Sequence, residues 1–354
     1  VYPDPPIADA PTDPSDALLP GRSPDGLIAT WYRDFSRQRA GRPLLWDGGV
    51  GTGLIARGLV LGQAPPEAWL LTRPAEVQAV HAEFAAAGAD VLQTNSFGLV
   101  RLLVEPAGWH GPPPPLPELV RQSVRLARAG AAAGSGRPIV IGSLGPTGRA
   151  DGDEGALAAA YGAVASAFVA AGVRTLHLET CLDPRELQLA LRGMREATPE
   201  LEILVSLTLN MGQSGPETPL GVPLSRMLRE LDRAPEPPAL IGVNCGQPAR
   251  RLHAAVAALF DWAGGRLPVL VQPQVGEPAP DCRVPARPET PERFARDLIR
   301  LLDEGAVALG GCCGATGAHL QAVQRALALL SPSPSPAPAE DRGETSGAKT
   351  ALAP

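Results

Sequence analysis

Two adjacent cysteines, Cys312 and Cys313, stand among glycines in Gly310-Gly311-Cys312-Cys313-Gly314, directly after the apolar run Ala306-Val307-Ala308-Leu309. The chain has only five cysteines, so a vicinal pair points to a metal or to catalysis and not to a secreted disulfide framework; a buried reduced pair or a redox pair is the plain alternative. Successive side chains on a strand face opposite ways, so both sulfurs reach one ion only where the backbone turns sharply. Glycines on both sides permit that turn. A third cysteine, Cys245, ends another apolar run, Gly242-Val243-Asn244. Three thiolates suit Zn²⁺, which takes sulfur ligands at about 2.3 Å in a tetrahedron, and three protein ligands leave the fourth position open for a substrate. Such a centre makes a bound thiol available as thiolate at neutral pH, ready for alkylation. Cys181 and Cys282 lack this company and read as a packed thiol and a loop thiol, although Cys181 lies close enough to Glu179 to line the same site.

The elements that would position these groups are legible as eight short apolar runs: 44–47, 90–94, 138–143, 175–179, 202–209, 239–244, 268–272 and 306–310. Short, continuous and apolar, they read as strands of a parallel sheet covered on both faces. Between them lie helical stretches at 74–87, 154–171, 184–197, 249–263 and 291–304. The alternation predicts an α/β fold, a (β/α)8 TIM barrel, with a doubly wound open sheet as the alternative. In a barrel the chemistry sits where strands pass into the βα loops. The polar residues collect there: Asp47-Gly48-Gly49, Thr94-Asn95, Gly145-Pro146-Thr147, Glu179-Thr180, Asn244-Cys245-Gly246 and Cys312-Cys313-Gly314. Asp47 has a bland reading as a cap for the following turn, and Glu179 one as a satisfied interior carboxylate. His177 shares a strand face with Glu179 and reads as a hydrogen-bonded core histidine. Gly145-Pro146-Thr147 reads as a turn shaping the rim, Trp46 and Trp69 as core, and the Pro-rich insert 105–117 as a surface loop.

Composition narrows the class. The 354 residues are 44% hydrophobic and carry a net charge of −6, which argues against nucleic acid or an anionic membrane as the main partner. No stretch approaches the roughly 20 apolar residues of a membrane span, and the Asp- and Pro-rich start has no apolar segment of a secretory signal. The cytoplasm is the expected compartment. Three segments are expected: a poorly ordered extension over 1–38, the barrel over 39–330, and a disordered Pro/Ser-rich tail over 331–354.

At this level the chain resembles the zinc-dependent homocysteine S-methyltransferases. The carriers are Asp47-Gly48-Gly49-Val50-Gly51-Thr52, the block Ala87 to Gly98, Gly142 to Thr147, Glu179-Thr180, Gly242-Val243-Asn244-Cys245 and Gly310 to Gly314. The resemblance implies a (β/α)8 barrel in which Cys245, Cys312 and Cys313 bind Zn²⁺. It places Asp47 and Glu179 against the amino group of homocysteine. Backbone amides near Gly48 and the Thr94 loop would hold its carboxylate, with Asn244 among the substrate-binding residues. Homocysteine thiolate would then take a methyl group from a donor to give methionine. Two other readings stay open: a methyltransferase for another thiol or selenol, and a non-catalytic zinc protein or scaffold for a corrinoid partner.

The donor is less clearly written. The betaine-using members share aromatic residues around a quaternary ammonium, a cation–π arrangement. Where they carry Trp this chain has Ala64, and where they carry Tyr it has Gly98 and Thr180; only three tyrosines occur in all. Betaine is therefore disfavoured. The segment from Pro66 to Gly98 looks more like the homocysteine domain of cobalamin-dependent methionine synthase, which places methylcobalamin on a separate corrinoid protein ahead of a small sulfonium such as S-methylmethionine. Gln93 stands for a common Glu, His177 for an aliphatic residue, and Pro273-Gln274-Val275-Gly276-Glu277-Pro278 for a Pro-Asn-Ala-Gly-Leu-Pro segment.

Overall fold

A computed structural model describes residues 42–330 except 106–108, 110–113, 137, 150–151, 235 and 278–286. The expected terminal segments 1–38 and 331–354, most of the Pro-rich insert, and Cys282 lie outside the described residues. Eight parallel strands run in chain order: β1 (Leu44–Leu45), β2 (Val91–Gln93), β3 (Ile139–Leu144), β4 (Thr175–Cys181), β5 (Glu202–Leu207), β6 (Leu240–Asn244), β7 (Val269–Gln272) and β8 (Ala308–Leu309). Each is followed by a helix: α1 (Pro74–Ala86), α2 (Leu116–Ala131), α3 (Glu154–Ala170), α4 (Pro184–Ala197), α5 (Leu224–Asp232), α6 (His253–Ala263), α7 (Pro291–Ile299) and α8 (Gly317–Leu330).

The sheet order is β1-β8-β7-β6-β5-β4-β3-β2. A parallel bridge between Trp46 and Val91, with Asp90 N–H donating to Leu45 O at 2.6 Å, joins the two ends and closes the barrel. All eight expected strands are present, and the open-sheet alternative falls away. Leu44, Trp46, Val91, Ile141, Leu204, Leu240, Leu270 and Ala308 form a closed apolar cluster inside the barrel. A second, larger cluster fills the space between strands and helices. Toward the C-terminal strand ends the buried residues turn polar: Gln93, Ser143, His177, Ser206, Asn244 and Gln272. The barrel is thus a filled core below and a polar floor above.

Helix starts follow local rules. The Asp183 carboxylate accepts from the N–H groups of Arg185 and Glu186, Asp153 from Ala156, and Thr290 from Arg293, satisfying donors that a first turn leaves bare. The expected 249–263 helix breaks at Leu252 into a 3-10 turn (Ala249–Arg251) and α6. Elsewhere the structure adds elements: a helix at Leu99–Val104 and an antiparallel ribbon of Asn210–Gly212 with Gly215–Glu217. The insert expected as a loop over 105–117 is corrected at its far end, where Leu116 already begins α2 after Pro115. Among the described residues no helix is long and apolar enough to cross a membrane.

Candidate metal and substrate site

Three sulfurs meet at the C-terminal rim. Cys245, Cys312 and Cys313 place their Sγ atoms within 4.8 Å of one another, with 3.6 Å between Cys245 and Cys313. An ion with tetrahedral bonds of about 2.3 Å sets its sulfurs about 3.8 Å apart, so the donor set fits. Each cysteine is only half-buried, which leaves a side open to a ligand.

The backbone explains how sulfurs from two strand ends converge. Cys245 adopts a left-handed conformation (φ 58°), uncommon for a residue with a side chain, and Gly246 continues it at φ 67°. Its N–H still donates to Gln272 O at 3.0 Å, so the chain leaves β6 and turns at once. In the Gly310–Gly314 segment the glycines divide the work differently from expectation. Only Gly314 has a positive φ, of 84°. Gly310 and Gly311 are needed for closeness: a Cβ would stand 2.6 Å from Trp46 Cβ at the first and 2.2 Å from Ala315 Cβ at the second. The loop after β7 holds both cysteines, since Cys312 N–H donates to Pro273 O and Val275 N–H to Cys313 O, each at 2.9 Å. Hydrogen bonds from its two neighbours lower the Cys245 thiol well below its usual range, while those to Cys245 raise Cys312 and Cys313.

Beside the sulfurs lies a carboxylate on a bulge. The β4–β5 register shifts between Leu178 and Cys181, and Thr180 is left-handed at φ 60°. A bulge re-aims side chains, and here Glu179 and Thr180 both line the cavity. Asn244 holds the bulge: its Oδ1 accepts Thr180 N–H at 2.9 Å, and its Nδ2 donates to Thr180 Oγ1 and Glu179 Oε2, both at 3.0 Å. Glu179 Oε1 accepts from Gln93 Nε2 at 2.7 Å and from Ser143 Oγ. Burial, opposed by the Ser143 bond and aided by charge at Cys245, pushes Glu179 up to about 7.

A cavity of about 780 Å³ covers the sulfurs and is bordered by Gly48, Thr94, Glu179 and Gln272. Asp47 lies behind this wall. It is 1% exposed, its Oδ2 accepts Gln93 N–H at 2.7 Å, and its Oδ1 has no partner among the described residues. Burial raises its carboxyl well above the usual range. Among backbone donors near the Gly48 and Thr94 loops, Thr94 N–H is committed to Ile141 O and Gly49 N–H to Ala315 O. The N–H groups of Gly48 and Asn95 have no acceptor among the described residues. Sequence reasoning passed over Gln272, which borders the cavity and donates from Nε2 to Gln93 Oε1 at 2.9 Å. It also passed over Glu67 and Glu105, which line the same cavity, the latter from the insert expected as a surface loop.

His177 is fully buried with Nε2 2.7 Å from Ser206 Oγ, and burial lowers it to about 3. Cys181 is buried, 3.7 Å from Leu178 O, and stands apart from the sulfur cluster.

Comparison with known proteins gives a consistent picture. A family model described as homocysteine S-methyltransferase matches residues 44–327. The methionine synthase of Mycobacterium tuberculosis is 28% identical over 303 residues, which cover 81% of this chain and 25% of that protein. The chain thus spans about a quarter of the length of the methionine synthases it matches. Homocysteine S-methyltransferase 4 of Zea mays is 28% identical, over 83% of this chain and 92% of that protein. Among solved structures, the metallated form of the homocysteine methyltransferase MmuM of Escherichia coli superposes with a TM-score of 0.63 at 25% identity, over 82% of this chain and 99% of that one.

Proposed function

The chain belongs to the homocysteine S-methyltransferase family, and on that footing we propose that it methylates homocysteine to methionine at a Zn²⁺ ion held by Cys245, Cys312 and Cys313. The observation that carries the reading is the three-sulfur cluster beside Glu179 in one cavity. A bound Zn²⁺ supplies the Lewis acidity that keeps a substrate thiol deprotonated at neutral pH. Zinc and not a harder ion is favoured by an all-thiolate donor set.

The chain's own residues do the rest. Glu179 receives the homocysteine ammonium, which displaces the proton that burial favours there. Gln93, Ser143 and Asn244 hold the carboxylate in place for that contact. Asp47 acts from behind by fixing Gln93. The N–H groups of Gly48 and Asn95, with the Thr94 loop around them, take the substrate carboxylate, as unpaired backbone donors do. The substrate sulfur takes the methyl group as the donor's bond to that methyl breaks, the electron pair of the broken bond staying with the donor, and the product is a neutral thioether. The donor is methylcobalamin on a separate corrinoid protein, as the methionine synthase likeness suggests, or a sulfonium of the S-methylmethionine kind. Reduced cysteines suit a cytoplasmic setting.

The test joins metal content to turnover. Purified protein should contain one zinc per chain and form methionine from homocysteine with at least one of methylcobalamin, S-methylmethionine and betaine. Cys245→Ser, Cys312→Ser and Cys313→Ser should each lose the metal and the activity together. Undiminished zinc in all three would remove these residues as ligands.

A further inference from the structure

Resting on the zinc reading of the three cysteines, we propose that Arg250 is a positioning residue for the metal: it ties the loop that carries Cys245 to the segment behind Cys313, and so sets how long zinc stays bound. β7 lies between β6 and β8, so the loop after β7 separates the Cys245 turn from the turn of Cys312 and Cys313. Two successive residues of that loop span the gap. Gln274 N–H donates to Gln247 O at 3.2 Å, and Val275 N–H to Cys313 O at 2.9 Å. Gln247 is itself fastened to Cys245, whose carbonyl accepts its N–H at 2.6 Å. The distance between the sulfurs of Cys245 and Cys313 therefore depends on where residues 274 and 275 are held.

Side chains hold them. Glu277 stands at the end of the same stretch, at the place where the Pro-Asn-Ala-Gly-Leu-Pro segment of the resembled family has Leu. Its Oε1 accepts from Arg250 Nη2, and its Oε2 lies 3.0 Å from Arg251 Nη1. Both arginines belong to the 3-10 turn Ala249–Arg251, which follows the Cys245 turn. Arg251 Nη1 also donates to Gln247 Oε1 at 3.3 Å. The second arm of Arg250, Nη1, donates to Glu289 Oε1, just ahead of α7. Glu289 reaches the other side of the site, because its carbonyl oxygen is 3.2 Å from Nε2 of His319, in the first turn of α8. His319 Nδ1 accepts the N–H of Thr316 at 3.2 Å, in the short segment that leads on from Cys313. One guanidinium thus closes a frame behind the three cysteines.

Most ion pairs at a protein surface contribute little. This one differs in geometry and burial, since Arg250 spreads its two arms over two carboxylates and its side chain is 29% exposed, against 31% for Glu277 and 5% for Glu289. The planar fork fixes both carboxylates at once, which the point charge of a lysine cannot do. Three sulfurs within 4.8 Å of one another repel when they are deprotonated and the ion leaves. A braced frame resists that spreading, so a departing ion finds its ligands in place and is recaptured. Without the brace the Cys245 side swings away and release quickens. Groups that orient metal ligands from outside commonly account for about tenfold to hundredfold in affinity.

The experiment follows zinc release from zinc-loaded protein to an excess of a colorimetric chelator, with neither homocysteine nor methyl donor present. Arg250→Met, which keeps the stem and removes the fork, should release zinc roughly tenfold faster than wild type. Glu277→Gln, which keeps the shape and removes the charge, should do so roughly threefold faster. The double variant should release zinc more slowly than the product of the two single effects, because both remove one contact. Arg195→Met supplies the comparison: Arg195 pairs with Glu236 at 3.1 Å at the far end of α4, and its loss should leave zinc release unchanged whatever it does to the melting temperature. Where Arg250→Met fails to fold, Arg250→Lys takes its place, with a smaller acceleration expected. Zinc release at the wild-type rate in the folded Arg250 and Glu277 variants overturns the proposal, as does equal acceleration in Arg195→Met. Wild-type protein that holds no zinc overturns this proposal and the zinc reading together, whereas zinc held equally firmly by wild type and variants overturns this one alone.

Discussion

At the scale of single residues, burial shifts the titration of side chains in and beneath the site. His177 is the clearest case, since burial lowers it from 6.5 to about 3 and, among the described residues, only Ser206 hydrogen-bonds its ring. The unfolded chain takes up a proton near pH 6.5 that the folded chain refuses until about pH 3. Stability from this histidine is therefore complete above 6.5 and lost as pH falls toward 3. His81, lowered to about 4 by burial, acts in the same direction. His177→Gln should make the fall of stability between pH 4 and 6 less steep by about 1.4 kcal/mol per pH unit, one proton's worth. Urea denaturation at a series of pH values measures it; parallel profiles would mean that the imidazole titrates freely in the fold. Glu179 and Asp47, raised by burial, are unaffected by this comparison because both proteins share them.

Elements explain why these residues meet. The cysteine positions, the carboxylate at the end of β4 and all eight strands were legible because each is a local pattern: an apolar run and then a polar group. Conformation at the junctions was not. Nothing local marks Thr180 or Cys245 as left-handed, since neither is glycine and both conformations are imposed from outside, by Asn244 and by the Gln272 carbonyl. Glycine meaning was misread for a related reason. Gly310 and Gly311 read locally as turn residues, but their need is close contact, with distant Trp46 for the first and with Ala315, four residues on, for the second. Gly311→Ala tests this, because the added Cβ can be accommodated only by moving backbone. It should cost about 1–3 kcal/mol of stability and lower the zinc content, read by thermal denaturation and metal analysis. Full stability with full zinc would return Gly311 to a passive spacer.

At the scale of the whole molecule, the floor of the site is one hydrogen-bonded network drawn from strands all round the barrel. Gln272 reaches Gln93 across 179 residues of sequence, Gln93 reaches Glu179, and Asn244 joins Glu179 from the other side. Such closure exists only after folding, which is why Gln272 carried no signal in the sequence while Gln93 was visible only as a departure. The network also links substrate binding to global stability. Homocysteine at about 100 times its dissociation constant should stabilise the zinc form by about 2.7 kcal/mol and raise its melting temperature. The metal-stripped form should respond much less, and equal shifts in the two forms would separate amino-acid binding from the metal.

The staves of the barrel are unequal. β1 and β8 have two residues each, and the junction of β1 with β2 is a single bridge, whereas β4 and β5 share a long ladder. Short pairings open first when a protein breathes. Cys312 and Cys313 hang from the short stave β8, and Cys245 from the longer β6, with β7 between them. An ion gripped by all three sulfurs is therefore a rivet that fastens the loosest plank to the firm side of the cask. Were that rivet drawn, the short stave β8 would lose a tie to β6 that its own two-residue pairings do not supply.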